Sequence, residues 1–294
     1  EMSNALFDMG EISGETIFID GTKIEAAANK YTFVWKKAVT KNQAKLLIKL
    51  ADFVAECERL YGLRIVYGNT IKISHVKKLR KKLYALRQSE NVVFVHGTGK
   101  RKPPLQKSIE TLEDYLSRLK KYNQEIHICG ERNSYSKTDH DATFMRMKED
   151  AMGNGQLKPA YNLQHGVDSE YITWLTIGPQ PTDTTTLIPF LKDAQEHLKF
   201  KYKNITADAG YESEENYVFL EANGQISYIK PANYEISKTR KYRNDIGRIE
   251  NMEYHAESDS YTCRNGKKLK ADHVRHSKSK TGYVSKKTIY KCED

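Results

Sequence analysis

The chain has 294 residues, enough for one large domain or two ordinary ones with a real buried core. Lys and Arg number 48 against 38 Asp and Glu, a formal net charge of +10 that favours a polyanionic partner, nucleic acid before membrane. Four cysteines (Cys57, Cys129, Cys263 and Cys292) make no disulfide framework, and no apolar run has the length of a signal peptide or a membrane span. A disulfide-stapled secreted domain and a membrane protein are thereby disfavoured, and a cytoplasmic protein is expected.

The first β segment is predicted over about residues 16–33, with Gly21 as a bend. Helical spacing follows. Ala44, Leu47, Ile48, Ala51 and Ala55 form one apolar stripe, Val76, Leu79, Leu83 and Leu86 a second, and Ile109, Leu112, Leu116 and Leu119 a third. Three amphipathic helices packed in coiled-coil fashion are expected, joined by links that carry glycine and proline. From about Leu157 the period returns to two: "LKPAYNLQHGVD" and "YITWLTIGPQ" are predicted strands joined by a hairpin at Asp168-Ser169-Glu170. "TDTTTLIPFLKDAQEHLKF" is a predicted helix with Thr182 or Asp183 as its cap. A strand ending at Asp208, a helix over residues 214–222 and the strand "QISYIKP" come next. After Pro231 the chain turns basic and irregular, and "MEYHAESDSYTC" alternates again.

The charge is uneven. Between Ile71 and Lys107 stand eleven basic residues against one acid, Glu90, so this segment holds the whole excess and the remainder is balanced. Clustered Lys and Arg gain from counterion release on nucleic acid. Lys77, Lys78, Arg80, Lys81, Lys82, Lys100, Arg101 and Lys102 are the candidate contacts, against the plainer alternative of a solvated helix face.

Two aspartates stand at comparable places. "ETIFIDGTKIEA" runs an apolar strand into Asp20 and Gly21, and "NITADAGYESEENY" runs a second into Asp208. An aspartate at a strand end caps turns readily. A pair of them also suits a divalent ion held outside the carboxyl ends of neighbouring strands. Both readings stay open from the pattern alone.

The words are more specific than the pattern. "IFIDGTKIEAAANKYTFVWKK", "YSKTDHDATFMRMK", "PAYNLQHGVD", "TDTTTLIPFL", "ITADAGYESEENY" and "DSYTCRNGKKL" occur in order along most of the chain. They resemble segments of bacterial insertion-sequence transposases of the DDE superfamily. The resemblance implies an α/β, RNase H-like mixed sheet flanked by helices, with a helical insertion after the first strands. It implies residues 1–35 and 131–235 as the core, 36–130 as the helical basic insertion, and 236–294 as a basic, partly β, Cys-containing insertion. It implies Asp20 and Asp208 as the first two metal-binding carboxylates, two Mg²⁺ (or Mn²⁺) ions, double-stranded DNA as partner, and a homodimer associated with the nucleoid when bound. The activity implied is cleavage at transposon ends and strand transfer into target DNA.

The resemblance breaks at the third acid. The Glu of this superfamily is expected on a helix beyond the second Asp, in a tyrosine, arginine, glutamate, lysine signature that these residues do not supply. Glu250 sits in a strand-like alternation. The chain opens at Glu1 rather than a methionine and closes on "YKCED", and it is expected to be truncated at both ends, with the Glu beyond Asp294. A catalytically incomplete DNA-binding fragment and an RNase H-like nuclease are the alternatives. "HGTGKRK" lacks the phosphate-loop spacing, Cys263, His273, His276 and Cys292 lack a zinc spacing, and Asp139, Asp141 and Asp183 are predicted turn or cap residues.

Overall fold

The structure, a computed structural model, describes residues 1–97, 99–147, 153 and 155–292. Thr98 of the basic turn, Lys148 of the "TFMRMK" block and Asp294 lie outside the described residues. The chain divides into two compact units, residues 1–24 with 161–294, and residues 25–160.

The first unit is built on a mixed sheet. Its strands are β1 (Thr16–Glu25), β5 (Leu157–Asp168), β6 (Tyr171–Gly178), β7 (Asn204–Ala207) and β8 (Ile226–Ile229). β5, β1, β7 and β8 follow one another in that order, and β6 pairs with β5 off this path. A further strand of the sheet, β4 (Thr143–Arg146), pairs antiparallel with Leu157–Ala160 at the start of β5. β1, β7 and β8 are parallel, and β5 and β6 form an antiparallel hairpin. Its two turn residues, Ser169 and Glu170, both hold positive φ (51° and 72°), the twist that a two-residue hairpin needs. Two helices cover one face: α5 (Leu187–His197) and α6 (Glu214–Ala222). Leu187, Phe190, Leu191 and Ala194 give α5 a buried stripe at helical spacing. That stripe packs with Ile17 and Ile19 of β1, Ile205 and Ala207 of β7, Ile229 of β8 and Leu220 of α6. This mixed sheet flanked by helices is the RNase H-like arrangement.

Two expectations need correction. β1 does not bend at Gly21; it continues to Glu25, so Asp20 lies within the strand instead of ending it. Nor does Asp183 cap a helix. A short 3₁₀ turn over Asp183–Thr185 precedes α5, whose N-cap residue is Thr186. The Asp183 carboxylate accepts side-chain amides instead, because the buried polar residues of β5 reach it.

The same unit ends in a four-stranded antiparallel sheet: β9 (Glu253–His255), β10 (Ser260–Thr262), β11 (Lys268–Lys278) and β12 (Val284–Cys292), ordered β12, β11, β10, β9. Glu250 lies in a 3₁₀ turn, where its carboxylate accepts from the Tyr242 hydroxyl at 3.3 Å.

The second unit holds the three long helices, α2 (Lys36–Tyr61), α3 (Ile73–Ser89) and α4 (Pro104–Cys129). α3 buries Val76, Leu79 and Leu83 and α4 buries Ile109, Leu112, Leu116 and Leu119, as their stripes predict, in one core with Leu46, Leu50, Phe53, Val54 and Cys57 of α2. The stripe expected on α2 needs correction: Ala44, Ile48 and Ala55 are exposed and Leu47 and Ala51 are half-buried, because the larger side chains on the neighbouring face take the core. α2 ends at Gly62, whose φ of 65° is the left-handed cap that glycine adopts without strain. Short strands β2 (Phe33–Trp35) and β3 (Ser134–Ser136) pair beside the helices.

Candidate active site

Parallel pairing of β1 with β7 ends on the partners Ile19 and Ala207. The next residues on the two strands are Asp20 and Asp208, so register sets them side by side on strands about 4.8 Å apart. Side chains alternate across a strand. Ile17 and Ile19, like Ile205 and Ala207, face the α5–α6 core, which sends Asp20 and Asp208 together to the opposite face. Both are exposed. Asp20 Oδ1 accepts from the Gly21 amide at 2.8 Å, and Asp208 Oδ1 accepts from the Gly210 amide at 2.8 Å, capping the 3₁₀ turn Ala209–Tyr211. The capping and the metal readings of Asp208 are therefore compatible in space.

On the core side of the same strand ends lies a buried polar network that the sequence does not announce. Asp183 Oδ1 accepts from Asn162 Nδ2 at 2.8 Å and from Gln164 Nε2 at 3.1 Å. Gln164 also donates to Asn162 Oδ1 at 3.0 Å, and its carbonyl oxygen accepts from Thr186 Oγ1 at 3.0 Å and from the Tyr211 hydroxyl. Tyr211 is fully buried. Burial most of all, then the charges of Asp183, Asp20 and Asp208, pushes its phenol well above the ordinary range, so it stays a neutral donor.

The two glycines record how closely these groups approach. A Cβ on Gly21 would stand 2.5 Å from Gln164 Nε2 and 2.7 Å from Asp183 Oδ1. One on Gly210 would stand 3.0 Å from Asp208 Oδ1 and 3.5 Å from Asp183 Oδ2. Asp183 therefore belongs to the surroundings of the pair, although among the described residues no three His, Cys, Asp or Glu side chains gather closely enough to hold an ion. The fit to a divalent ion is that of two neighbouring carboxylates on an open face, short of a complete ligand set.

That face is apolar and open. Phe18, Tyr228, Leu175 and Ile177 lie on the side of Asp20 and Asp208 and are 56%, 56%, 55% and 62% exposed. Register supports the assignment: Phe18, Thr206 and Tyr228 are neighbours across β1, β7 and β8.

The predicted basic contacts sit in the helical unit. Lys77, Lys78, Arg80, Lys81 and Lys82 are exposed on α3. Lys78, Lys81 and Lys82 line an open groove of about 470 Å³ with Arg64, Ile65 and Val66. Lys82 donates to the Arg64 carbonyl oxygen at 2.8 Å. Lys100, Arg101 and Lys102 form the segment before α4, where Lys102 pairs with Glu110 at 2.7 Å. These residues are in one unit and the aspartates are in the other.

No helix among the described residues is long and apolar enough to cross a membrane. Comparison with curated proteins and with solved structures gives no match. A family profile described as "Transposase DDE domain" matches residues 132–291, a segment that contains Asp208, Asp183 and Gln164 and begins after Asp20. That match spans more than half of the chain, which belongs to the transposase DDE domain family.

Proposed function

We propose that the chain is the catalytic core of a transposase that cuts DNA phosphodiesters at transposon ends and joins them to a target, with Asp20 and Asp208 as two of its metal-binding carboxylates. The observation that carries this is the register: two aspartates 188 residues apart occupy adjacent positions on neighbouring parallel strands and share one open face. Divalent ions, Mg²⁺ or Mn²⁺, would bind these hard oxygen ligands and supply activation of the attacking oxygen and stabilisation of the leaving one. The protein's own part is to fix the two carboxylates. β1 and β7 hold their backbones, and the amides of Gly21 and Gly210 orient the side chains.

The third carboxylate is proposed to arrive on an element that packs over the open face. Exposed Phe18, Leu175, Ile177 and Tyr228 beside the two aspartates form the apolar patch that such an element would bury. The basic groove of the helical unit is the proposed contact to DNA phosphates, and a homodimer is the proposed active assembly. A second reading, a DNA-binding piece without chemistry, draws on the two-carboxylate count.

Binding of Mn²⁺, followed by electron paramagnetic resonance on the 294-residue chain, tests the reading without requiring turnover. Asp20→Asn and Asp208→Asn keep size and one neutral oxygen but lose the charge. Each is expected to weaken Mn²⁺ binding by at least about tenfold. Equal Mn²⁺ affinity in the parent chain and both variants would remove these residues from the metal site. With a labelled duplex and Mn²⁺, the parent chain is expected to bind DNA and leave it uncut.

A further inference from the structure

The β11–β12 ribbon is the feature that neither fold nor active site explains. It runs antiparallel over nine registered pairs, and every residue of β11 from Lys270 to Lys278 is exposed. Both of its faces are open to solvent, so no buried side holds it together. A lone two-stranded ribbon is marginal in water at best. This one is supported at its root by β10, which pairs with Lys268–Lys270, and at its tip by α6. There the Tyr283 hydroxyl donates to Glu214 at 2.9 Å and the Thr281 hydroxyl to Glu215 at 2.6 Å.

Between those supports the cross-strand partners repel. Arg275 stands opposite Lys287, and His276 stands opposite Lys286. Lys270 stands opposite Lys291 as well, and successive residues alternate faces, so Arg275 and Lys287 lie on one side of the ribbon and Lys286 on the other. Like charges directly opposite one another destabilise a strand pair. Asp272 is the only acid on the two strands, and His273 Nδ1 engages it at 2.9 Å. From Lys267 to Cys292 the chain carries nine Lys and Arg against that one acid. A strand pairing that sets Arg275 against Lys287 and Lys270 against Lys291, with no core beneath, is built against its own stability. A polyanion laid along it removes the repulsion.

We propose that the β11–β12 ribbon is a second DNA-contacting surface of this chain, engaging the phosphate backbone of duplex DNA through Arg275, Lys286 and Lys287. The inference rests on the reading that the chain acts on DNA and extends it to a surface outside the helical unit. Charge on both faces suits a major groove, which admits a two-stranded ribbon and is walled by phosphates on either side. The tip is tied to Glu214 and Glu215, which open the helix that follows the Asp208 turn, so DNA on the ribbon leads towards the aspartate pair.

The test uses two readouts that must move in opposite directions. Arg275→Thr and Lys287→Thr, alone and together, replace a repelling cation by a good strand former. In the free protein each is expected to slow hydrogen exchange of ribbon amides by about 2- to 5-fold, since the repulsion is gone. Binding of the full chain to a fluorescein-labelled 20-bp duplex of mixed sequence is expected to weaken about fivefold to tenfold per lost contact at 0.1 M salt. The slope of log affinity against log salt should flatten by about 0.9 per contact. Lys287→Arg, which keeps the charge, should bind as the parent does. Unchanged affinity and slope in the double Thr variant, beside a parent that binds the duplex, would overturn the ribbon proposal and leave the DNA reading intact. A parent with no salt-dependent duplex binding would overturn both. Ribbon amides protected by polyglutamate and not by duplex would assign the surface to an acidic protein instead.

Discussion

Gln164 is a buried side chain whose amide uses its full bonding capacity: two hydrogen bonds donated, to Asn162 and Asp183, and two accepted, from Thr186 and Tyr211. Replacing it by leucine keeps the volume and deletes all four. Thr186 retains the Asp183 carbonyl at 2.8 Å, and Asp183 retains Asn162. The Tyr211 hydroxyl and Asn162 Oδ1 are left without Gln164 in a buried setting. At about 1–3 kcal/mol for each of the two orphaned buried groups, Gln164→Leu should lose about 2–6 kcal/mol of stability. Tyr211→Phe in the parent removes one donor from an oxygen that keeps Thr186, and should lose only about 1 kcal/mol. The decisive measurement is the double-mutant cycle by urea denaturation. Once Gln164 is gone the Tyr211 hydroxyl is only a desolvated burden, so Tyr211→Phe should then be neutral or stabilising. Strictly additive losses, or a Gln164→Leu protein within about 0.5 kcal/mol of the parent, would refute the idea that this amide ties the Asp208 turn to β5.

Gly21→Ala is expected to destabilise by about 1–3 kcal/mol, because its Cβ would meet Gln164 Nε2 at 2.5 Å and Asp183 Oδ1 at 2.7 Å in a network with no slack; a thermal midpoint equal to the parent's would show that the two side chains can yield. In the helical unit, Lys78→Gln with Lys81→Gln should weaken binding to all duplex sequences about equally and flatten the salt slope by about 0.9 per contact, measured by fluorescence anisotropy. An unchanged slope would return α3 to the status of a solvated face.

Much of the first unit is legible because its elements obey strong local rules. The period-two runs of β5 and β6, the turn between them and the helix over Glu214–Ala222 emerge from alternation, positive-φ positions and a serine cap: Ser213 Oγ accepts from the Asn216 amide at 3.1 Å. α3 and α4 are equally plain from their stripes, whereas α2 is legible as a helix with its buried face misplaced, since Leu46, Leu50, Phe53, Val54 and Cys57 keep helical spacing beside the stripe of Ala44, Leu47, Ile48, Ala51 and Ala55. Gly21 points to a bend in β1 by local rules alone, where a glycine weakens a strand. Its reason is tertiary: a network from β5 and the Asp183 turn comes too close for any Cβ. The ribbon is only coarsely legible, for the opposite reason. A strand with no buried face carries no hydrophobic alternation, so "KLKADHVRHSK" shows as part of a basic, partly β segment and not as a strand of its own. The charge balance conceals it as well. The balance of the residues outside 71–107 is a cancellation in which a second basic run is offset by acids elsewhere.

β5 explains why the site itself was only half legible. "YNLQHGVD" alternates, and alternation normally sends apolar residues inward. Here the order is inverted. Asn162, Gln164 and Asp168 are the buried positions, and Leu163 and Val167 look to the other side. A strand pays desolvation to bury amides and a carboxylate only where partners meet each of them, and they do: Asp183, Thr186 and Tyr211 at one end, the Gly14 amide on Asp168 at 2.8 Å at the other. The inversion has a second consequence. With its polar residues committed to the α5–α6 side, β5 gives its apolar ones to the face that bears Asp20 and Asp208, where Phe18, Leu175, Ile177 and Tyr228 join them. A sheet that turns apolar side chains outward around two carboxylates is shaped for a covering layer on that side, and the proposed third carboxylate fits best on an element of that layer.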